Sequence, residues 1–181
     1  MSTILVTVGS TLFPSLTDAI LSPSLISSLN TLDVRKLVIQ YGRADLPPDL
    51  SIDVDANGNG TTVIDELRIE VMRFTDQFEK LVGQSDYVIS HAGSGSILTT
   101  LRRNPPIPLL VVPNESLMDN HQAELADEMG KLGYLMVSRV NELELNLPKF
   151  LGSNWKEEIE PFPQMDRERF KDLVDDLMGF T

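Results

Sequence analysis

The chain contains no cysteine. That absence excludes disulfides and thiolate metal sites and makes a reducing compartment the simplest setting. Positive charge is also scarce, with 15 Lys and Arg against 27 Asp and Glu for a net charge of −12. A nucleic-acid backbone or an anionic membrane surface is therefore not expected as the main partner, and an anionic ligand would need local donors rather than global attraction. No apolar stretch approaches the length of a membrane span, and Met1-Ser2-Thr3-Ile4-Leu5-Val6 lacks the basic flank of a signal peptide, so insertion into lipid is not expected. Three common motifs are missing too. Gly9 is followed by Ser10, Thr11 and Leu12 rather than by the spacing G-x-G-x-x-G, no Gly-Lys-Ser/Thr occurs, and Gly93-Ser94-Gly95 lacks the middle spacing of a serine elbow. The commonest dinucleotide, P-loop and hydrolase readings fall with them.

What is present fits one globular domain: 181 residues, 41% hydrophobic and 23% charged, with room for one nucleotide-binding half. Ile4-Leu5-Val6-Thr7-Val8 reads as a buried parallel strand, and Pro14 opens a helix with Leu16, Ala19 and Ile20 on one face. A second helical piece carries Leu25, Ile26 and Leu29, and Val34 to Gly42 is the second strand. Residues 43–62 are rich in Pro, Asp, Asn and Gly and read as a surface excursion. Within it, Asp53-Val54-Asp55-Ala56-Asn57-Gly58 imitates the start of a calcium loop, but Ile64 stands where the bidentate Glu belongs, so a solvated turn is expected.

Leu67 to Phe74 alternates as a third strand near a sheet edge, and a short helix from Asp76 to Gly83 follows. Tyr87 to Ser90 is the fourth strand, with a helix beginning near Ile97, and Pro108 to Pro113 is a wholly apolar fifth. A helix spans Asn120 to Leu132, Tyr134 to Ser138 is the sixth strand, and Asn141 to Phe150 is helical. Residues 1–150 thus form an α/β domain, a doubly wound and mostly parallel sheet. Residues 151–181 form a linker with Trp155 and a last amphipathic helix on Phe170, Leu173, Val174 and Leu177.

Three loops follow strands and so share one rim. Gly9-Ser10-Thr11 is the first. Ser90-His91-Ala92-Gly93-Ser94-Gly95-Ser96 is the second, where small residues at a strand-to-helix junction let backbone N–H groups approach an anion. The same stretch also fits a plain turn with Ser94 or Ser96 as N-cap. The third runs from Asn114 to Gln122, where Asp119 and Gln122 fit a capping box and leave Asn120 and His121 unexplained. The chain has only two histidines, and both fall on this rim, which points to a ligand site. With the other motifs absent, a diphosphate held by amides and hydroxyls without a metal is the remaining expectation.

His91-Ala92-Gly93-Ser94-Gly95-Ser96-Ile97-Leu98 and Leu117-Met118-Asp119-Asn120-His121-Gln122, with Val8-Gly9-Ser10-Thr11 before and Gly133-Tyr134-Leu135 behind, resemble the Rossmann-like donor-binding half of GT-B glycosyltransferases. The likeness is closest to the soluble subunits of the UDP-N-acetylglucosamine transferases of dolichol-linked oligosaccharide synthesis. Bacterial lipid-linked peptidoglycan glycosyltransferases are similar over the same half.

The resemblance implies UDP-N-acetylglucosamine as donor substrate, inverting β-1,4 transfer to dolichyl-diphosphate-N-acetylglucosamine, and neither metal nor cofactor. It implies that His91, Gly93, Ser94, Gly95 and Ser96 hold the diphosphate, with Gly9, Ser10 and Thr11 beside them. Asn114, Asp119, Asn120, His121 and Gln122 would face sugar and ribose, and Phe74 and Thr75 the uracil. His91 is the implied catalytic donor. Thr99 stands where the wider family often has a ribose-binding carboxylate, which shifts that contact to Glu115 or Asp119. The resemblance further implies a membrane-anchored partner subunit supplying the acceptor pocket and base, with this chain recruited from the cytoplasm to the cytosolic face of the endoplasmic reticulum. A non-catalytic UDP-sugar-binding scaffold and an exopolysaccharide glucosyltransferase subunit are the competing functions.

Overall fold

A computed structural model describes residues 2–116, 121–152 and 159–163, with backbone alone at 121 and 122. Seven strands form one sheet: β1 (Ser2–Thr7), β2 (Val34–Gln40), β3 (Gly60–Ile64), β4 (Leu67–Met72), β5 (Tyr87–His91), β6 (Leu109–Val112) and β7 (Met136–Val137). Their order is β3-β4-β2-β1-β5-β6-β7. Every pairing is parallel except β3 with β4. Among the described residues no helix is long and apolar enough to cross a membrane.

The central strands are apolar on both faces because helices cover both. Ile4, Val6, Leu37 and Ile39 pack towards α1 (Pro14–Ile20), α2 (Pro23–Thr31) and α6 (Leu143–Leu151). Leu5, Val38, Val88 and Val111 pack towards α3 (Phe78–Gly83), α4 (Ser94–Leu101) and α5 (His121–Lys131). Each large apolar side chain buried this way stabilises the fold by about 1.5–3 kcal/mol. The chain leaves β1 towards β2 on one side, while β5 lies on the other. The strand order therefore reverses at β1, and a crevice opens between the carboxyl ends of β1 and β5.

The sheet has seven strands, where the sequence predicts six. β3 takes its first residues from the expected excursion and turns back through Asp65, at φ 54°, to pair antiparallel with β4. No β3 residue is fully buried and Val63 is 61% exposed, so the strand carries no apolar period to read. β4 consequently lies one strand in from the edge, with Leu67, Ile69 and Val71 buried. The expected turn at Asp53 to Gly58 is real. The Asp55 carboxylate accepts the amides of Asn59 at 2.9 Å and Asn57 at 2.8 Å, and these bonds, Asn59 first, hold its pKa below the ordinary range. Among the described residues no cluster of His, Cys, Asp or Glu is arranged to hold a metal. Trp155 and the last predicted helix, with Phe170, Leu173, Val174 and Leu177, lie outside the described residues.

Candidate functional site

The crevice is built from two strand ends. Thr7 of β1 is in register with Ser90 of β5, so His91 and the Val8-Gly9 turn emerge side by side. The His91 ring is buried, only 7% exposed, and its Cε1–Nε2 edge lies between two glycines. A Cβ on Gly9 would stand 2.7 Å from Cε1, and one on Gly93 would overlap Nε2. Both glycines are required because the imidazole occupies the space a side chain would fill. Gly9 is also at φ 59°, where L-residues are strained.

Burial pushes the His91 pKa down and the Thr7 backbone opposes this, so the ring is neutral at neutral pH. The Thr7 carbonyl does not make a well-aligned bond, since Nδ1 is buried without a hydrogen-bond partner. A neutral imidazole carries one N–H and one lone pair, so in this slot it is a hydrogen-bonding group rather than a fixed charge.

Next to the ring, α4 begins. The cap residue is Gly93 in an extended conformation, with no side-chain capping bond, and the first turn holds no acidic residue. This corrects two expectations: the helix starts at Ser94 rather than near Ile97, and neither Ser94 nor Ser96 is its N-cap. The first intrahelical bond runs from Ile97 N–H to Gly93 C=O at 3.1 Å. The amides of Ser94, Gly95 and Ser96 therefore have no acceptor inside the helix, and they sit at the positive end of its dipole. A Cβ on Gly95 would meet nothing within 4 Å, so ligand atoms have room to approach there.

A cleft of about 240 Å³ extends from this point, with Gly9 and Ser10 on one wall, Phe74 and Thr75 on the other, and Gln40 and Ser96 also lining it. Phe74 is 54% exposed and stands between this cleft and a second one of about 560 Å³ that reaches Asn59 and Leu81. The structure thus brings together Gly9, Ser10, His91, Gly93, Ser96, Phe74 and Thr75. Two amides of the first loop are engaged within the protein. The Gly9 N–H donates to Gln40 Oε1 at 2.8 Å, and the Thr11 N–H donates to Val8 C=O at 3.2 Å.

The loop after β6 is more structural than predicted. Asn114 Nδ2 donates to Leu12 C=O at 3.2 Å, while its Oδ1 accepts from Ser116 Oγ at 2.7 Å and Ser116 N–H at 3.1 Å. Its amide ties two rim loops together, so donor contact through that side chain would require breaking these bonds. Glu115 is exposed and ion-paired at 3.3 Å to Arg139, which also reaches Asp127 at 3.6 Å. Leu117, Met118, Asp119 and Asn120 lie outside the described residues, and with them the proposed capping box. The backbone places His121 and Gln122 in the first turn of α5, which follows β6, the neighbour of β5. His91 is thus the last residue of β5, and His121 opens the helix that follows the adjacent strand β6.

Sequence reasoning missed Gln40, Arg73 and Arg139. Gln40 had a readable signal, since a polar amide ends the apolar run Leu37-Val38-Ile39 and is itself buried. Arg73 lies over the Tyr41 ring at 5.1 Å and donates to the carbonyl of Ala44 at 3.2 Å. These contacts fix the corner that leads to Phe74.

Residues 3–177 match the glycosyltransferase family 28 C-terminal domain. The UDP-N-acetylglucosamine transferase subunit ALG13 of Cryptococcus neoformans var. neoformans serotype D is 54% identical over 195 residues, covering 98% of this chain and 97% of that protein. An ALG13 structure determined in solution by NMR superposes with a TM-score of 0.67 at 30% identity, covering 96% of this chain and 94% of that one. Acinetobacter baumannii MurG superposes with a TM-score of 0.58 at 18% identity over 96% of this chain and 49% of its own, a likeness of fold alone. A reversed-order parallel sheet, a histidine slot at the reversal and an uncapped helix beside it thus coincide with a match along nearly the whole sequence, and the chain belongs to the glycosyltransferase family whose members carry the family 28 C-terminal domain.

Proposed function

We propose that this chain binds UDP-N-acetylglucosamine in the crevice at β1 and β5. With a membrane-anchored partner subunit, it transfers N-acetylglucosamine to dolichyl-diphosphate-N-acetylglucosamine, with inversion and in β-1,4 linkage. The observation that carries this reading is the buried, neutral His91 held between Gly9 and Gly93 beside the uncapped start of α4. That arrangement presents N–H donors without a competing carboxylate, which suits a diphosphate.

In the reaction, a hydroxyl oxygen of the acceptor sugar forms a bond to the anomeric carbon while the bond from that carbon to the β-phosphate oxygen breaks. UDP leaves with the electron pair, and the hydroxyl proton passes to a base on the partner subunit. Negative charge grows on the leaving diphosphate, so donors already in place stabilise the transition state more than the ground state. His91 and the amides of Ser94, Gly95 and Ser96 fill this role, and the reading needs no metal. Phe74 and Thr75 border the uracil, and Asn120, His121 and Gln122 face the sugar. Residues 164–181, with Phe170, Leu173, Val174 and Leu177, dock the partner. The complex works at the cytosolic face of the endoplasmic reticulum, to which this chain is recruited from the cytoplasm.

The test is radiolabelled transfer from UDP-N-acetylglucosamine and from UDP-glucose, by the chain alone and with the partner subunit. The expected result is transfer of N-acetylglucosamine only by the pair, with His91→Ala reducing the rate about 100- to 1,000-fold while the protein stays folded. Transfer by the chain alone, a preference for UDP-glucose, or an unaffected His91→Ala variant would overturn the corresponding part.

A further inference from the structure

We propose that Gln40 is a positioning residue that sets the distance between the two walls of the donor cleft, an inference that rests on the UDP-sugar reading above. Its amide lies at the end of β2 and is almost fully buried. Oε1 accepts from Thr7 Oγ1 at 2.6 Å and from Gly9 N–H at 2.8 Å. Nε2 donates to Gly9 C=O at 2.8 Å and to Arg73 C=O at 2.7 Å. Both lone pairs and both N–H groups are therefore in use, and only one orientation of the amide satisfies all four.

Two of these bonds grip the Gly9 peptide from both sides. They hold that peptide at its left-handed φ of 59°, directly against the His91 ring. The bond to Arg73 fixes the residue before Phe74, on the opposite wall. Gln40 is thus the one side chain in the described structure that bonds both walls, although it need not touch the ligand.

No other side chain reproduces the set. Glu would aim carboxylate oxygens at the carbonyls of Gly9 and Arg73, Met would leave those carbonyls without the amide and the Gly9 N–H with only its 3.2 Å bond to Thr7 Oγ1, and Asn falls one methylene short. Loosening either wall by about 1 Å is enough to cost on the order of 100-fold in a positioned reaction.

The experiment compares Gln40→Met, Gln40→Glu and Thr7→Val with wild type and with Leu147→Ala. The last is a buried position in α6, away from the rim, and serves as a control for lost stability. Affinity for UDP is measured on the full chain and on the reconstituted pair, the KM for donor and kcat on the pair, and amide exchange by NMR at Gly9 and at Gly42, whose N–H donates to the same Arg73 carbonyl at 3.0 Å. The expected result is UDP binding weakened about 10- to 100-fold in both Gln40 variants, with donor KM rising more than kcat falls. Thr7→Val removes the Thr7 Oγ1 bonds with Gln40 Oε1 and Gly9 N–H but leaves the Gln40 amide in place; it is the milder probe and weakens binding several-fold. Gly9 and Gly42 lose protection together in the Gln40 variants, and Leu147→Ala keeps wild-type affinity at a comparable melting temperature. Gln40 variants that bind UDP as well as Leu147→Ala overturn the proposal, as does a change at Gly9 without one at Gly42. Wild-type chain that fails to bind UDP in either form overturns the functional reading instead, and the paired exchange at Gly9 and Gly42 still decides whether Gln40 links the walls.

Discussion

Two small-residue loops meet at the crevice, and they do opposite things. The loop after β1 has two of its amides engaged, Gly9 to Gln40 and Thr11 to Val8. The loop after β5 runs into a helix with no side-chain cap and leaves the amides of its first turn free of any intrahelical acceptor. By composition they are alike, since each places glycine and serine after a buried strand. The difference lies in what the neighbouring strands offer. β2 ends in an amide side chain that pairs with the first loop, while β6 beside the second ends in the apolar pair Val111-Val112. The first loop is therefore tied to the neighbouring strand, and the second leaves the helix start open for the diphosphate proposed above.

The largest expected effect breaks the second loop. Gly93 has φ −80°, which any residue adopts, so the obstacle to a side chain there is the His91 ring, whose Nε2, Cε1 and Cδ2 are the nearest atoms. Gly93→Ala should displace the ring, reducing transfer by at least about 100-fold and stability by about 1–3 kcal/mol. Adding His91→Ala should restore the stability, read from urea unfolding, but not the transfer. Gly9→Ala sharpens the contrast. It meets His91 Cε1 at 2.7 Å and is strained at φ 59°. The second substitution should then recover only the steric part and leave about 1–2 kcal/mol unrecovered.

Much of this frame is legible in the sequence. The runs Ile4 to Val8, Leu37 to Ile39 and Leu109 to Val112 announce buried strands because both faces are covered, so every position but Thr7 is apolar. The rim location of His91 and His121 follows from the same pattern. What the sequence does not disclose is the bonding between distant segments. Gln40 meets Gly9 across 31 positions, and Asn114 meets Leu12 across 102. No local period encodes either pairing. As a result, the engaged amides of the first loop and the structural duty of Asn114 emerge only in three dimensions. β3 escaped notice for a related reason, since a strand with no buried face has no apolar alternation.

A smaller effect concerns protonation at the junction of the loops. Burial holds the His91 pKa below its ordinary value of 6.5. As pH falls through about 6.5 the unfolded chain takes up a proton there while the folded chain resists, so folding stability should be greatest above that point and decline below it. Urea unfolding between pH 7.5 and 5.5 should show a steeper decline for wild type than for His91→Gln. Equal slopes would mean that the ring is not buried in the slot.

The smallest structural effect tests the site most directly. Gly95 lies in the first turn of α4, and a Cβ there would touch nothing within 4 Å. By helix propensity alone, Gly95→Ala should leave the fold unchanged or stabilise it by up to about 1 kcal/mol. The added methyl nevertheless enters the space through which a phosphate would approach the free amides. Weaker UDP binding in a protein that melts no lower than wild type would separate ligand contact from folding, which neither Gly93 nor Gly9 can do, because both also support His91. Undiminished UDP binding would move the diphosphate away from the start of α4 and return that helix end to the same purely structural standing as the loop after β1.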